Sequence, residues 1–300
     1  SALSVLTHAI FQLQACRLIL IMASSCFLGD LLAAGCFLFI FKMYKYIDIR
    51  IKEGVGFVTL NRPPVNVIDR EMTLEYHDAL RGLDADNEIK VIVLNGSGKG
   101  LSGGIDLKYM ETFSSKEMED FLRIFYVETI NICRGLSKPI IASVHGYARE
   151  GACTLSMACD IVIAADNSDF GYPGVPVIGA PPGMHTWFLQ RLIGRMKAAE
   201  LILTGKPIAA KAAERAGLIT RAVPAESLKK ETLKLAKEIA AMSPLALKTA
   251  RDFIYKCEDM PFSELPEEAL KVVSTAFDTE DSKEARRSFL EKRIPKWSGC

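Results

Sequence analysis

The sequence predicts an α/β protein whose parallel strands are joined by helical crossovers. Three features predict it. Short apolar, β-branched runs alternate with segments of helical periodicity through the first two-thirds of the chain. Helical patterns alone fill the last third. Residues 43–300 carry no net charge and are apolar enough to bury a large core, the whole chain being 49% hydrophobic. With 37 Lys and Arg against 36 Asp and Glu, the chain lacks the basic excess of a general nucleic-acid binder, so no nucleic-acid partner is expected. The same composition excludes extensive disorder.

The elements follow in order. Tyr46 to Ile51 alternates, Glu53-Gly54 turns, and Val55 to Leu60 reads as the partner strand. Asp69 is placed to N-cap a helix through Met72, Leu74, Tyr76 and Leu80. Ile89 to Leu94 is a buried strand, followed by the loop Asn95 to Gly100. Ser115 to Arg134 is helical, with Met118, Phe121, Ile124, Phe125, Ile130 and Cys133 as its stripe. Pro139 to Val144 is a strand, Gly151 to Cys159 a short buried helix, Asp160 to Ala165 a strand, and Asp169 to Tyr172 a short extended piece. Thr186 to Ile193 and Lys197 to Thr204 are helices. From Ala209 the pattern is helical to about Arg293, broken at Pro224, Pro244 and Pro261 to Pro266.

Residues 1–42 stand apart, with Arg17, Asp30 and Lys42 as their only charges. Leu18 to Phe41 has the length of a membrane span. Asp30 near its centre opposes insertion by ~2.5–3.5 kcal/mol. No cleavage-like junction leads into a polar start, so a signal peptide fits poorly. Met43 opens an ordinary alternating strand. The preferred reading is a working chain that starts there, in the cytoplasm, with residues 1–42 as non-native upstream sequence. A membrane anchor through residues 18–41 is the alternative. The eight cysteines form no CxxC pair and have no histidine at metal spacing, so reduced thiols and no metal site are expected.

The familiar chemical signatures are absent: no GxGxxG that opens a helix after a strand, no GxxxxGK[ST] and no HExxH. Two glycine-containing turns remain, Gly100 to Lys108 and His145 to Thr154, each following a buried strand. Glycine at such a turn lets backbone approach a ligand. Two turns of this kind supply two backbone donors to one developing negative oxygen, each worth ~2.7–4 kcal/mol in a transition state. Spacing alone favours two ordinary tight turns.

Several pieces occur together and in order: Val58-Thr-Leu-Asn-Arg-Pro63 with Asn66, Leu101-Ser-Gly-Gly-Ile-Asp-Leu107, and Lys138-Pro-Ile-Ile-Ala-Ser-Val-His-Gly-Tyr-Ala148. Cys159-Asp-Ile-Val-Ile-Ala164, Leu203-Thr-Gly205, Ala216-Gly-Leu218 and Phe289-Leu-Glu-Lys-Arg293 continue the series. From about Tyr46 to Trp297 the chain resembles the crotonase family, the enoyl-CoA hydratase/isomerase superfamily. The resemblance implies a crotonase-like spiral of ββα units over residues 43–235, then a C-terminal helical trimerisation region over 236–300. It implies a homotrimer or a dimer of trimers. It also implies an acyl-CoA thioester as ligand, with coenzyme A as part of the substrate and no separate cofactor.

By position, the resemblance makes the main-chain amides of Ile105 and Gly151 the pair that holds the thioester oxygen as an enolate forms. Val65, Asn66, Gly103, Gly104, Asp106 and Lys108 fall on the coenzyme A side. Phe289 and Lys292 fall where a neighbouring subunit's coenzyme A is reached. The chain departs from the family at its carboxylates. Hydratases of the family shuttle protons with two glutamates. Those positions are Thr154 and Gly174 here, and a third carboxylate position maps to Pro182. Glu150 replaces what is usually a glycine and is the sharpest substitute, with Tyr172, His145 and His185 near in sequence. The expected activity is therefore of the enoyl-CoA hydratase/isomerase type with hydration itself open. Decarboxylation or thioester hydrolysis, and acyl-CoA binding without turnover, are the alternatives.

Overall fold

The computed structural model describes residues 43–181 and 183–300. The apolar stretch 18–41 and Pro182 therefore lie outside the described residues. None of the described helices is long and apolar enough to cross a membrane.

Strands β1 (Ile47–Lys52) and β2 (Val55–Leu60) form an antiparallel hairpin across the Glu53-Gly54 turn. Helix α1 (Arg70–Ala85) returns the chain to β3 (Val91–Gly96), which lies parallel to β2. Asp69 N-caps α1 by accepting from the Met72 amide at 2.9 Å. Met72, Tyr76, Leu80 and Leu83 form its buried face, whereas Leu74 turns outward and is 41% exposed. The segment expected as one helix is three pieces: α2 (Ser115–Leu122), a π-helical turn (Arg123–Glu128) and α3 (Thr129–Gly135). The wider turn keeps Phe125 and Ile130, five residues apart, both facing inward.

Strand β4 (Ile140–Val144) adds parallel to β3, and β6 (Ile161–Ala165) adds parallel to β4. Between them lie β5 (Tyr147–Arg149) and helix α4 (Gly151–Met157). Strand β7 (Asp169–Gly171) pairs with β5, then come a π-helical turn (Gly174–Ile178) and helices α5 (His185–Ile193) and α6 (Arg195–Thr204). The chain after Ala209 is not purely helical. Strand β8 (Ile208–Ala209) pairs with β7, helix α7 (Ala210–Ala216) follows, and β9 (Arg221–Val223) joins β6. Both strands are too short to show a period of two. The result is a six-stranded sheet in the order β1-β2-β3-β4-β6-β9 and a three-stranded sheet β5-β7-β8.

Strands β3, β4 and β6 of the larger sheet are buried on both faces, which is why they read as nearly continuous apolar runs. Val91, Val93, Ile141 and Ile163 pack with Leu228 and Ala236 of α8 (Leu228–Ala240). Helices α9 (Pro244–Asp259), α10 (Leu265–Phe277) and α11 (Glu280–Glu291) complete the chain. Arg251 of α9 is 4% exposed. Its Nε bonds both carboxylate oxygens of Asp160 (2.9 and 2.8 Å), and its Nη1 donates to the carbonyls of Arg134 and Leu136 (3.0 and 2.6 Å). Its Nη2 donates to the Cys133 carbonyl. One guanidinium thus satisfies the open end of α3. Asp160 also accepts from the Ile140 amide at 2.7 Å and the Tyr255 hydroxyl at 2.6 Å.

His77 of α1 is 1% exposed, with Nε2 2.7 Å from the Thr129 hydroxyl. Burial, helped by the Arg81 charge, pushes its pKa down to about 4. The half-exposed Glu128 carboxylate, 3.9 Å from Nδ1, does not offset this. An unfolded histidine takes a proton near 6.5, so the unfolded chain binds more protons between these values. Stability is therefore full above about pH 6.5 and falls as pH drops towards 4, by on the order of 2 kcal/mol at pH 5. Urea midpoints at pH 7 and 5 should show this loss, and His77→Gln should flatten it. Equal slopes in the two proteins would remove His77 as the cause.

Candidate active site

The two glycine turns meet at the ends of β3 and β4. Gly146 has φ +62°, and a Cβ there would lie 1.9 Å from the Lys99 carbonyl oxygen. That approach lets the turns exchange backbone bonds: the Leu101 amide donates to Tyr147 (2.9 Å) and the Arg149 amide to Ser102 (3.1 Å). Gly104 has φ +94°, and a Cβ there would sit 2.8 Å from the Arg149 carbonyl oxygen. On the other side, the Ile68 amide donates to Gly104 and the Asp106 amide to Ile68, both at 2.8 Å. These bonds use the residues on either side of Ile105. Among the described residues, neither the Ile105 nor the Gly151 amide has an acceptor. A Cβ on Gly151 would be 3.2 Å from Ile105 Cγ1 and 2.9 Å from Phe125 Cζ. The structure thus brings Ile105 and Gly151 together from two separate turns.

Glu150 has φ 42° and ψ −108°, a conformation rare for a residue with a side chain. Its amide donates to Gly171 at 3.0 Å. Its carbonyl accepts from Cys153 (2.8 Å), Thr154 (3.2 Å) and His185 Nε2 (2.8 Å). A carbonyl only accepts, so Nε2 carries the hydrogen. The same nitrogen lies 2.7 Å from the Thr154 hydroxyl, which is fully buried. The Glu150 carboxylate curls back so that Oε2 is 3.4 Å from Nδ1 of the fully buried His185. Its Oε1 is buried without a hydrogen bond of normal geometry among the described residues. A Cβ on Gly174 would lie 2.9 Å from that Oε1. Burial raises the Glu150 pKa, with the Gly174 backbone working the other way. Tyr126 and Tyr172 meet the His185 ring edge-on, at 6.2 and 5.2 Å between centroids.

The other sequence-derived residues fall in three places. Val65, Asn66, Gly103 and Asp106 build the first turn. The Val65 carbonyl accepts from Gly103 at 2.7 Å. Asn66 is 2% exposed, and its side-chain amide donates to Ser97, Gly100 and Leu101 at 2.9, 3.2 and 3.1 Å. It is thus committed to shaping that turn. Asp106 pairs with Arg62 at 3.0 Å, and Arg62 also reaches Asp69 at 3.1 Å. This bridging arginine was not singled out, because an Arg before Pro-Pro reads as a loop charge. Lys108 is exposed at the mouth of the turn. Phe289, 82% exposed, and Lys292 sit at the end of α11. His145 bonds the Gly98 carbonyl at 3.0 Å. No cluster of three metal-ligating side chains occurs among the described residues.

Two neighbouring turn residues whose amides have no acceptor among the described residues suit an oxygen that gains negative charge, and a carboxylate beside them with one buried oxygen suits proton transfer. Known proteins carry the same framework. Residues 50–300 match the enoyl-CoA hydratase/isomerase family. The chain is 36% identical to “Probable enoyl-CoA hydratase, mitochondrial” of Dictyostelium discoideum, over 86% of this chain and 93% of that protein. It is 37% identical to a “Probable enoyl-CoA hydratase” of Mycobacterium tuberculosis, over 85% and 98%. The crystal structure of an enoyl-CoA hydratase subunit I from Geobacillus kaustophilus superposes with a TM-score of 0.81 at 34% identity, covering 86% of this chain and all of that one. The match spans both turns, the sheet that aligns them and the helices that follow; the chain belongs to the enoyl-CoA hydratase/isomerase family, as an acyl-CoA enzyme with the crotonase fold.

Proposed function

We propose that the chain polarises an acyl-CoA thioester between the amides of Ile105 and Gly151 and stabilises the enolate formed by loss of an α-proton. The observation that carries this is that Ile105 and Gly151, whose amides have no acceptor among the described residues, lie side by side from two separate turns. Val65, Gly103, Gly104, Asp106 and Lys108 line or flank the turn on the coenzyme A side, and Lys108 offers a cation to its phosphates. The working assembly is a homotrimer or a dimer of trimers. The exposed Leu270, Val273 and Phe277 of α10 supply an apolar face for it, and Phe289 and Lys292 reach the coenzyme A of the neighbouring copy.

The test follows α-proton exchange of butyryl-CoA in deuterated water by mass spectrometry, with binding measured in parallel. Ile105→Pro removes one donor, and the two flanking bonds of Ile68 do not use it. Exchange should fall ~10²–10³-fold with binding retained, while Ile105→Val stays close to the parent. Binding without exchange in the parent protein would sink the enolate reading. Exchange undiminished by Ile105→Pro would remove that amide.

A further inference from the structure

We infer that Glu150 and His185 form one acid–base pair that moves the α-proton, with Glu150 Oε1 as the atom that takes it and Gly174 as the residue whose missing side chain makes room for it. The inference rests on the enolate reading above. Three observations carry it. The Glu150 carboxylate stands where a side chain at 174 would begin, 2.9 Å from that Cβ position. His185 Nε2 is fixed as a donor by the Glu150 carbonyl, so its Nδ1 faces Oε2 at 3.4 Å as the side that takes up or gives back a proton. Residue 150 keeps a backbone conformation natural to glycine, which marks a position where the side chain is retained against local strain.

In the ready state Nδ1 holds the shared proton, and Oε1 is the basic atom. The Cα–H bond breaks and its proton moves to Oε1. The C–H pair becomes the Cα–C double bond, and the carbonyl π pair moves to the oxygen held by the two amides. Reversal returns a proton or, after exchange with solvent, a deuteron. His185 is a positioning residue acting through Glu150. Thr154, fully buried behind His185 Nε2, holds the imidazole rather than touching substrate. Tyr126, Tyr172 and Cys153 also face the pair. Burial pushes all three upward, Cys153 to about 12, so they stay neutral beside the pair. Arg149 is engaged by Asp169.

Butyryl-CoA binding and α-deuterium exchange in the parent, Glu150→Gln, His185→Gln and Glu150→Gly/Gly174→Glu proteins test the assignment. Glu150→Gln should lower exchange by about 10²-fold or more, with the dissociation constant within threefold. His185→Gln should move the acidic limb of the exchange-rate profile as well as lowering the rate. The double variant relocates a carboxylate into the space that Glu150 vacates, and should recover at least about a tenth of parent exchange. Parent-like exchange in Glu150→Gln, with the parent exchanging normally, overturns the pair but leaves the enolate reading intact. Loss of exchange in Glu150→Gln that the double variant does not recover overturns the spatial equivalence of 150 and 174. An unmoved limb in His185→Gln overturns the part given to His185. A parent protein that binds but never exchanges overturns the enolate reading and the pair with it.

Discussion

Arg251→Ala should cost about 3–5 kcal/mol of stability, because it strands one carboxylate and three carbonyls at once. Asp160 would keep only the Ile140 amide and the Tyr255 hydroxyl. The carbonyls of Cys133, Arg134 and Leu136, at the end of α3, would lose their shared donor. An unmet buried acceptor costs ~1–3 kcal/mol on its own. Lysine at 251 should restore less than half of the loss, since one ammonium cannot span a carboxylate and three carbonyls as a planar fork does. Urea denaturation is the measurement, with a lowered midpoint at unchanged slope as the expected sign. A cost below about 1 kcal/mol would mean that water replaces the guanidinium, and that α9 is not fastened to the sheet through it.

Gly146→Ala should do comparable damage by a different route. The added methyl would lie 1.9 Å from the Lys99 carbonyl oxygen and 2.9 Å from its carbon, with 3.1 Å to Gly100 Cα. None of these is the end of a flexible side chain, so backbone must move. The φ of +62° adds ~1–2 kcal/mol for any residue with a Cβ. A total above about 4 kcal/mol is expected, in the range where single substitutions unfold marginal proteins. Whatever folds at low temperature should have the Gly100–Ile105 turn pushed away from β5, and should lose acyl-CoA α-proton exchange before it loses helical circular dichroism. A soluble variant with parent-like exchange would show that the two turns do not need this close approach.

The sheet was legible because its central strands are buried on both faces and so appear as short runs rich in β-branched residues, as in Val91 to Leu94 or Ile140 to Val144. α1 was legible because Asp69 caps it and Met72, Tyr76 and Leu80 share a face. Leu74 misled, since single apolar residues on the outer face are ordinary. The π turn at Arg123–Glu128 was hidden because a one-residue slip in a helical stripe looks like noise. β8 and β9 were hidden by their shortness, two and three residues. Arg251 reads in sequence as one more cation on an amphipathic helix, and only the approach of Asp160 and the end of α3 makes it a core residue. The glycine turns of the site were visible. The meeting of Glu150, Gly174 and His185 was not, because nearness along the chain does not fix contact and no local pattern encodes what fills the space beside a glycine. The identity of the family came from the ordered set of short motifs rather than from any one of them.

The bridge between Ser102 and Ala148 has a consequence for how this chain tolerates change. Successive residues of extended backbone face opposite ways. Lengthening or shortening either turn by one position would rotate its amide to the far side, whatever the residue types. Replacing the isoleucine at 105 with another side chain leaves the amide where it is. Across descendants of this chain, the spacing from Ser102 to Ile105 and from Ala148 to Gly151 should therefore be guarded far more strictly than the letter at position 105, and indels there should be purged while substitutions drift.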